Sequence, residues 1–317
     1  MIPVSQRNVV FFRNQEITVQ QQEELGTRLG ELSGKPATSK LHIHPLTPEG
    51  SELGDTVNVI SSKQFKAVYE GEDRSRLASR GWHIEYLSSI STLLTDSITF
   101  EAVPSDYAIL QIHTPPKSGG GDTLWGSAYE AYDKLSDHYK KFLEGLTAVH
   151  DATWFKNNAE GRGLKKLRAE RGAPENYGED NLVNIHPLIR TNPVTGWKGL
   201  FIANGYIQKV TFTDSRFTKR IVELTKDESD QVLDYLFRHI AQNHDLQVRF
   251  RWNKNDVAIW DNRSSYHNIT YVVVEIELTY RLDYGDEVRL GNRVVSLGER
   301  PYFDPNSKSR REALAAN

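Results

Sequence analysis

The chain has 317 residues, enough for one sizeable core or two small domains, with 39 Lys and Arg against 42 Asp and Glu and no cysteine. The net charge of −3 gives no sign of a polyanion-binding surface and speaks against a nucleic-acid partner. The absence of cysteine removes disulfides, zinc–thiolate and iron–sulfur sites and thiol nucleophiles together, and fits an intracellular protein. No apolar run approaches the roughly 18 residues of a membrane span. The start, Met1-Ile2-Pro3-Val4-Ser5, lacks the apolar segment of a secretory signal. A cytoplasmic protein with no membrane partner is expected.

Residues 8–13 (NVVFFR) read as a short buried strand, and residues 18–32 as a helix with Thr18 as its N-cap. Residues 40–80 are loop-rich, punctuated by Pro45, Pro48, Gly50 and Gly54. Residues 107–113 form a strand that ends at Pro115-Pro116 and the Gly119–Gly121 run. Residues 127–148 read as helical, with Ser136 capping a second segment. The charged stretch 156–182 is expected to be a helical or mobile lid, or a surface insertion. Short strands dominate from residue 185, interrupted by a helix over 229–243. The polar, then Ala-rich end from Asn306 reads as a peripheral tail. Short strands with scattered helices and no βαβ rhythm predict a mainly β fold, an antiparallel double-sheet barrel or jelly roll. There is no internal repeat, and a single domain over residues 1–317 is expected.

The chemistry concentrates in two places. An apolar strand, Asp256-Val257-Ala258-Ile259-Trp260-Asp261-Asn262-Arg263, runs through a polar turn to His267, and an upstream segment reads Gly81-Trp82-His83-Ile84-Glu85. Two separated histidines, a carboxylate near the first and the arginines Arg289 and Arg293 past the second are the components of a non-haem iron oxygenase. In such a site a 2-His-1-carboxylate face holds Fe(II) and leaves positions open for a keto acid and dioxygen. His83 and Glu85, two residues apart on a strand, would share one face. A single histidine is more often structural than a ligand, and either arginine, taken alone, reads as part of a solvated turn.

The segments NVVFFRNQEIT, LHIHP, ITFEAVPSDYAILQIHT, GGGDTLW, HPLIRTNPVTGW, DVAIWDNR and SLGERPYFDP run over nearly the whole chain. They resemble the taurine dioxygenase (TauD/TfdA-like) family of Fe(II)- and 2-oxoglutarate-dependent dioxygenases, and within it the fungal alkylsulfonate dioxygenases. The resemblance implies a double-stranded β-helix, a cupin-like jelly-roll barrel with flanking helices. It implies Fe(II) as cofactor, 2-oxoglutarate as cosubstrate and O2. The activity implied is hydroxylation beside the sulfonate of a small taurine-like organosulfonate, releasing sulfite and an aldehyde with succinate and CO2. Carried over residue by residue, His83 and His267 match the iron-ligating histidines. Thr123 and Arg289 match the residues that bind 2-oxoglutarate, and His44 and Arg293 those that bind the sulfonate. A relative acting on another small anion, an aryloxyacetate or a sulfate ester, is the alternative within enzymes. A jelly-roll protein with a disrupted iron site is the alternative outside them. Oligomeric state is left open, a homo-oligomer included.

Three departures from the family pattern stand out. The stretch from His83 to Thr99 is too long, so the carboxylate ligand is either Glu85, counted from His83, or Asp96, one position out of register when counted from Thr99. Glu85 is preferred because its spacing keeps the shared strand face. The stretch from His267 to the arginines is too long by the length of Val272–Leu282 (VVVEIELTYRL). Residues 84–96 and 272–282 are thus either extra strand or loop, or intron sequence carried in frame. The third departure is a start almost on the NVVFFR strand, where the family has a further N-terminal segment.

Overall fold

The computed structural model describes residues 2–47, 49–51, 53–61, 98–117, 120–153, 155–156, 166–203, 218–270 and 289–316. Its strands are β1 (Val9–Phe12), β2 (Val57–Ser61), β3 (Ser105–Thr114), β4 (Thr123–Ser127), β5 (Thr147–Asp151), β6 (Val183–Pro187), β7 (Ile189–Thr191), β8 (Lys198–Leu200), β9 (Thr218–Ile221), β10 (Gln247–Phe250), β11 (Asp256–Asp261), β12 (Ser265–Ile269) and β13 (Leu290–Leu297). The helices are α1 (Ile2–Arg7), α2 (Val19–Leu32), α3 (Ala128–Asp133), α4 (Asp137–Leu143), α5 (Lys226–Gln242) and α6 (Arg310–Ala315). Among the described residues no helix is long and apolar enough to cross a membrane.

A five-stranded sheet in the order β1-β11-β3-β13-β2 and a three-stranded sheet in the order β10-β4-β12 carry the candidate site. All described pairings between these strands are antiparallel. Strand alternation sorts their side chains. One face of the large sheet sends Ala108, Leu110, Ala258, Trp260 and Val295 into the same apolar cluster as Trp125, Phe250 and Ile269 of the small sheet. The other face, with Tyr107, Ile109, Val257 and Ile259, packs with Val4 of α1 and Leu29 of α2. On the small sheet, Leu124 and Tyr266 pack with α3 and α5 through Ala128, Leu233 and Leu236. Each fully buried aliphatic or Phe side chain here contributes roughly 1.5–3 kcal/mol.

Local signals explain the helix ends. Thr18 and Gln21 form a reciprocal capping box at the start of α2, a device worth about 1 kcal/mol. Ser127 and Ser136 accept the backbone N–H of Glu130 and Tyr139 and start α3 and α4. The helical reading of 127–148 therefore holds to Leu143 and then fails. Gly145, at φ +86°, breaks the helix, and Thr147 opens β5. The helix expected over 229–243 begins earlier, at a capping box on Thr225 and Glu228.

Two expectations are corrected. Residues 166–182 of the charged stretch are not a helical or mobile lid, since they hold Arg171 in full burial and have only a short helical turn at Pro174–Asn176. The loop-rich reading of 40–80 also missed β2, which borders β13. The C-terminal stretch is peripheral, with no buried residue in α6, and is fastened where Arg310 donates to Glu130 at 2.8 Å and the Arg311 N–H donates to Asp133 at 3.1 Å.

Candidate active site

Strand β11 is buried along its whole length and ends at Asp261, whose carboxylate organises the following turn. Its Oδ1 accepts the Arg263 backbone N–H at 3.0 Å and Arg263 Nε at 2.8 Å. Its Oδ2 accepts Arg263 Nη2 at 2.8 Å, Ser5 Oγ at 2.6 Å and Asn192 Nδ2 at 3.1 Å. The chain then reverses into β12, where His267 lies opposite Trp125 and Ile269 opposite Thr123 on β4. Opposed residues share a face. Since Trp125 and Ile269 belong to the core between the sheets, His267 and Thr123 also point inward. His267 is 2% exposed, with the Trp260 ring edge-on at 5.1 Å. Burial, and then the positive charge of Arg293, push its pKa well below the usual imidazole value. The ring is therefore neutral at pH 7, the form in which an imidazole ligates a metal.

The arginines answer the question the sequence left open. Arg293 sits on β13 opposite both Leu110 of β3 and Asn58 of β2, on the inner face, and is 1% exposed. Arg289 directly precedes the strand and is 3% exposed. Neither belongs to a solvated turn. Arg289 and Arg293, four residues apart and both buried, place two guanidinium groups of the kind that recognise carboxylates and other oxyanions in one region. Thr123 Oγ1 accepts Trp252 Nε1 at 3.0 Å, which leaves the hydroxyl proton to be donated.

His44 is fully buried, its Nδ1 accepting the Leu46 N–H at 3.1 Å and its ring edge-on to Phe155 at 5.3 Å. Its segment runs beside the arginine-bearing strand: Leu41 bridges Ser296, and His42 N donates to Val295 O at 2.9 Å. The structure thus brings His267, Thr123 and Arg293 to one interior, with His44 on a segment bound to the Arg293 strand. His83, Glu85, Asp96 and the segments 84–96 and 272–282 lie outside the described residues. Among the described residues no group of three His, Asp or Glu could hold a metal ion, and His267 is the candidate ligand they supply.

Sequence reasoning missed the buried polar cluster beside His44. Glu101, Arg171, His42 and His186 are all at most 2% exposed, and Glu101 and Arg171 form a two-pronged ion pair. A faint signal was present, because Glu101 is a lone acid among Phe100, Ala102 and Val103.

Comparison with known proteins identifies the family. The model of the family described as taurine catabolism dioxygenase TauD, TfdA family matches residues 4–270. The chain is 40% identical to the alpha-ketoglutarate-dependent dioxygenase btcD of Neocamarosporium betae, covering 98% of this chain and 84% of that protein. It is 30% identical to an alpha-ketoglutarate-dependent sulfonate dioxygenase of Saccharomyces cerevisiae, over 95% of this chain and 60% of that one. Among solved structures it resembles a taurine dioxygenase from Burkholderia xenovorans, with a TM-score of 0.61 and 25% identity over 95% of this chain and 80% of that one. The chain belongs to the TauD/TfdA family and is a 2-oxoglutarate-dependent dioxygenase, using Fe(II), 2-oxoglutarate and O2.

Proposed function

We propose that this chain hydroxylates a small, taurine-like organosulfonate at the carbon that bears the sulfonate, within a single double-stranded β-helix domain. The burial of two arginines at the start of β13, one of them near a neutral buried histidine, carries this reading. The donor set fits the family's iron as far as the described residues reach, since His267 offers a neutral imidazole in a buried interior. His83 and one of Glu85 or Asp96 would complete the face. Bound there, Fe(II) would activate O2 as 2-oxoglutarate is oxidised to succinate and CO2, with one oxygen atom entering the substrate C–H bond.

The chain's own residues hold the two anions apart. Arg289 and Thr123 would grip the far carboxylate of 2-oxoglutarate through charge-assisted hydrogen bonds. Arg293 and His44 would share the three acceptor oxygens of the sulfonate. Trp260, Trp125 and Phe155 line or adjoin this interior and would exclude water from it. The hydroxylated product, with OH and sulfonate on one carbon, breaks its C–S bond to give sulfite and an aldehyde.

The test is incubation of the purified protein with Fe(II), 2-oxoglutarate and, in parallel, taurine, other alkylsulfonates, an aryloxyacetate and an alkyl sulfate. Sulfite formed in step with succinate from a sulfonate supports the reading. Phenol or sulfate as the preferred product moves the substrate to the neighbouring anion classes. No coupled product from any substrate rejects the activity for this chain.

A further inference from the structure

Glu101 follows a short helical turn, Ile98–Phe100, just before β3, with no exposed surface. Its Oε1 accepts Arg171 Nε at 2.6 Å and its Oε2 accepts Arg171 Nη2 at 3.1 Å. The remaining Arg171 donors reach Arg168 O at 3.1 Å, Gly178 O at 2.7 Å and Asn181 O at 2.8 Å, so all five guanidinium N–H groups have acceptors. On the other side His42 Nε2 lies 3.3 Å from Glu101 Oε1, and the Glu101 carbonyl oxygen is 2.9 Å from His186 Nε2. A buried carboxylate held by an arginine and one imidazole, on a residue whose backbone carbonyl is held by a second, has little freedom to move.

These contacts converge on the segment that carries His44. Lys40 N donates to Gly172 O at 2.8 Å, and Arg168 N donates to Pro45 O at 2.8 Å. Residues 168–172, fixed by Arg171 on Glu101, therefore clamp both ends of the segment, while His42 ties its middle to the same carboxylate. On the far side the His42 N–H and the Leu41 bridge fasten the segment to β13, two to three residues from Arg293. The ring of His44 has its other restraints from Leu46 N–H and Phe155.

We infer that Glu101, acting through His42 and Arg171, is a positioning residue that sets the His44 imidazole relative to Arg293 for recognition of the substrate anion. The inference rests on the reading above that His44 and Arg293 hold that anion. It assigns Glu101 no contact with substrate or cosubstrate. Its effect is confined to the sulfonate half of the site, because Thr123 is held by Trp252 and β12 rather than by this cluster.

The experiment uses His42→Phe, which leaves the Glu101–Arg171 pair intact, with His42→Gln as the conservative variant able to donate to Glu101. His42→Phe should raise the KM for the sulfonate roughly tenfold, since a displacement of about 1 Å in a positioning group costs up to 100-fold. The KM for 2-oxoglutarate should stay within about twofold, as expected for a site outside the network. His42→Gln should recover most of the loss. In a His44→Ala background His42→Phe should add nothing further. A crystal structure of His42→Phe should show the His44 ring displaced and its bond from Leu46 N lost. An unmoved His44 in that structure overturns the proposal, as does a parallel rise in both KM values. If His44→Ala by itself leaves the sulfonate KM unchanged, the anion-binding role of His44 falls. The crystal structure then still decides whether the cluster fixes His44.

Discussion

Arg293, on β13 of the five-stranded sheet, lies near enough to His267, on β12 of the three-stranded sheet, for its charge to act on the imidazole. Burial and that charge work in the same direction, and both keep His267 unprotonated. A cation beside a metal-ligand candidate discourages a competing proton while attracting anions. The relationship therefore links the two halves of the proposed chemistry, metal ligation on one sheet and anion binding on the other.

His267→Ala should abolish substrate-dependent succinate formation and weaken Fe(II) retention. Removing one imidazole from a 2-His-1-carboxylate face leaves two protein ligands, too few for a stable site. Metal content after gel filtration and succinate by chromatography check it, and near wild-type values for the variant would reject His267 as a ligand.

Arg293→Ala should impair binding of the sulfonate, and Arg289→Ala that of 2-oxoglutarate. Truncating one member of a buried charged contact costs on the order of 2–5 kcal/mol in the affinity concerned. Apparent constants for both ligands in both variants decide it. Equal losses of both ligands in each variant would remove the division of labour.

Much of this arrangement was legible in the sequence, and what was not has a common cause. The alternating run 256–261 and its polar turn announce a strand leading to His267, because strand periodicity and turn chemistry are local. Burial of Arg289 and Arg293 was not readable from spacing, since it depends on β13 lying between β2 and β3, strands far away in sequence. The charged stretch ending near residue 182 misled for the same reason. Arg171 looks like one surface charge among many until Glu101, 70 residues earlier, meets it in the interior. Glu101 and His42 were invisible as a pair on the same grounds.

Gly172→Ala should destabilise the fold and loosen the His44 segment together. Gly172 has φ +93°, and an added Cβ would lie 2.2 Å from Leu41 O. A residue forced into this region costs on the order of 1–3 kcal/mol before the backbone clash is counted. The denaturant midpoint should fall, and the sulfonate KM should rise. An unchanged midpoint would show that residues 168–172 do not clamp the neighbouring chain.

His186 should make stability depend on pH in a defined window. Burial, and then the charge of Arg190, hold its pKa down to about 4 from the ordinary 6.5. Above pH 6.5 the ring is neutral folded or unfolded, and the contribution is complete. As pH falls from 6.5 to about 4, the unfolded chain takes up a proton that the folded chain refuses, and stability is lost. At about 1.36 kcal/mol per unit the loss approaches roughly 3 kcal/mol. Unfolding free energies of wild type and His186→Gln across this range should converge at low pH by about that amount. Parallel curves would show that His186 is not held neutral.

The last prediction concerns Val272–Leu282. β12 ends at Ile269, paired with Thr123, and β13 begins at Leu290, paired with Thr114 and Ser61, so both ends of the connection are anchored by sheet register. Deleting the eleven residues leaves nine between the strands, a length that spans up to about 30 Å when extended. A gap within that reach would let the shortened connection join the two strands without disturbing either pairing. We expect the deletion variant to keep the fold, with equal or higher thermal stability and equal or higher coupled turnover. The effect should be larger when residues 84–99 are also replaced by a family-length His-x-Asp loop, because both changes act on spacings next to the proposed iron ligands. The opposite result has its own physical basis. The run has good strand propensity, and if Val272, Val274, Ile276 and Leu278 bury one face, their removal would cost several kcal/mol at roughly 1.5–3 kcal/mol each. Melting temperature and succinate formation for the single and double variants separate the two. A fall in stability in both would show that these residues are part of the working fold and that this chain builds its iron site on longer spacings than its relatives.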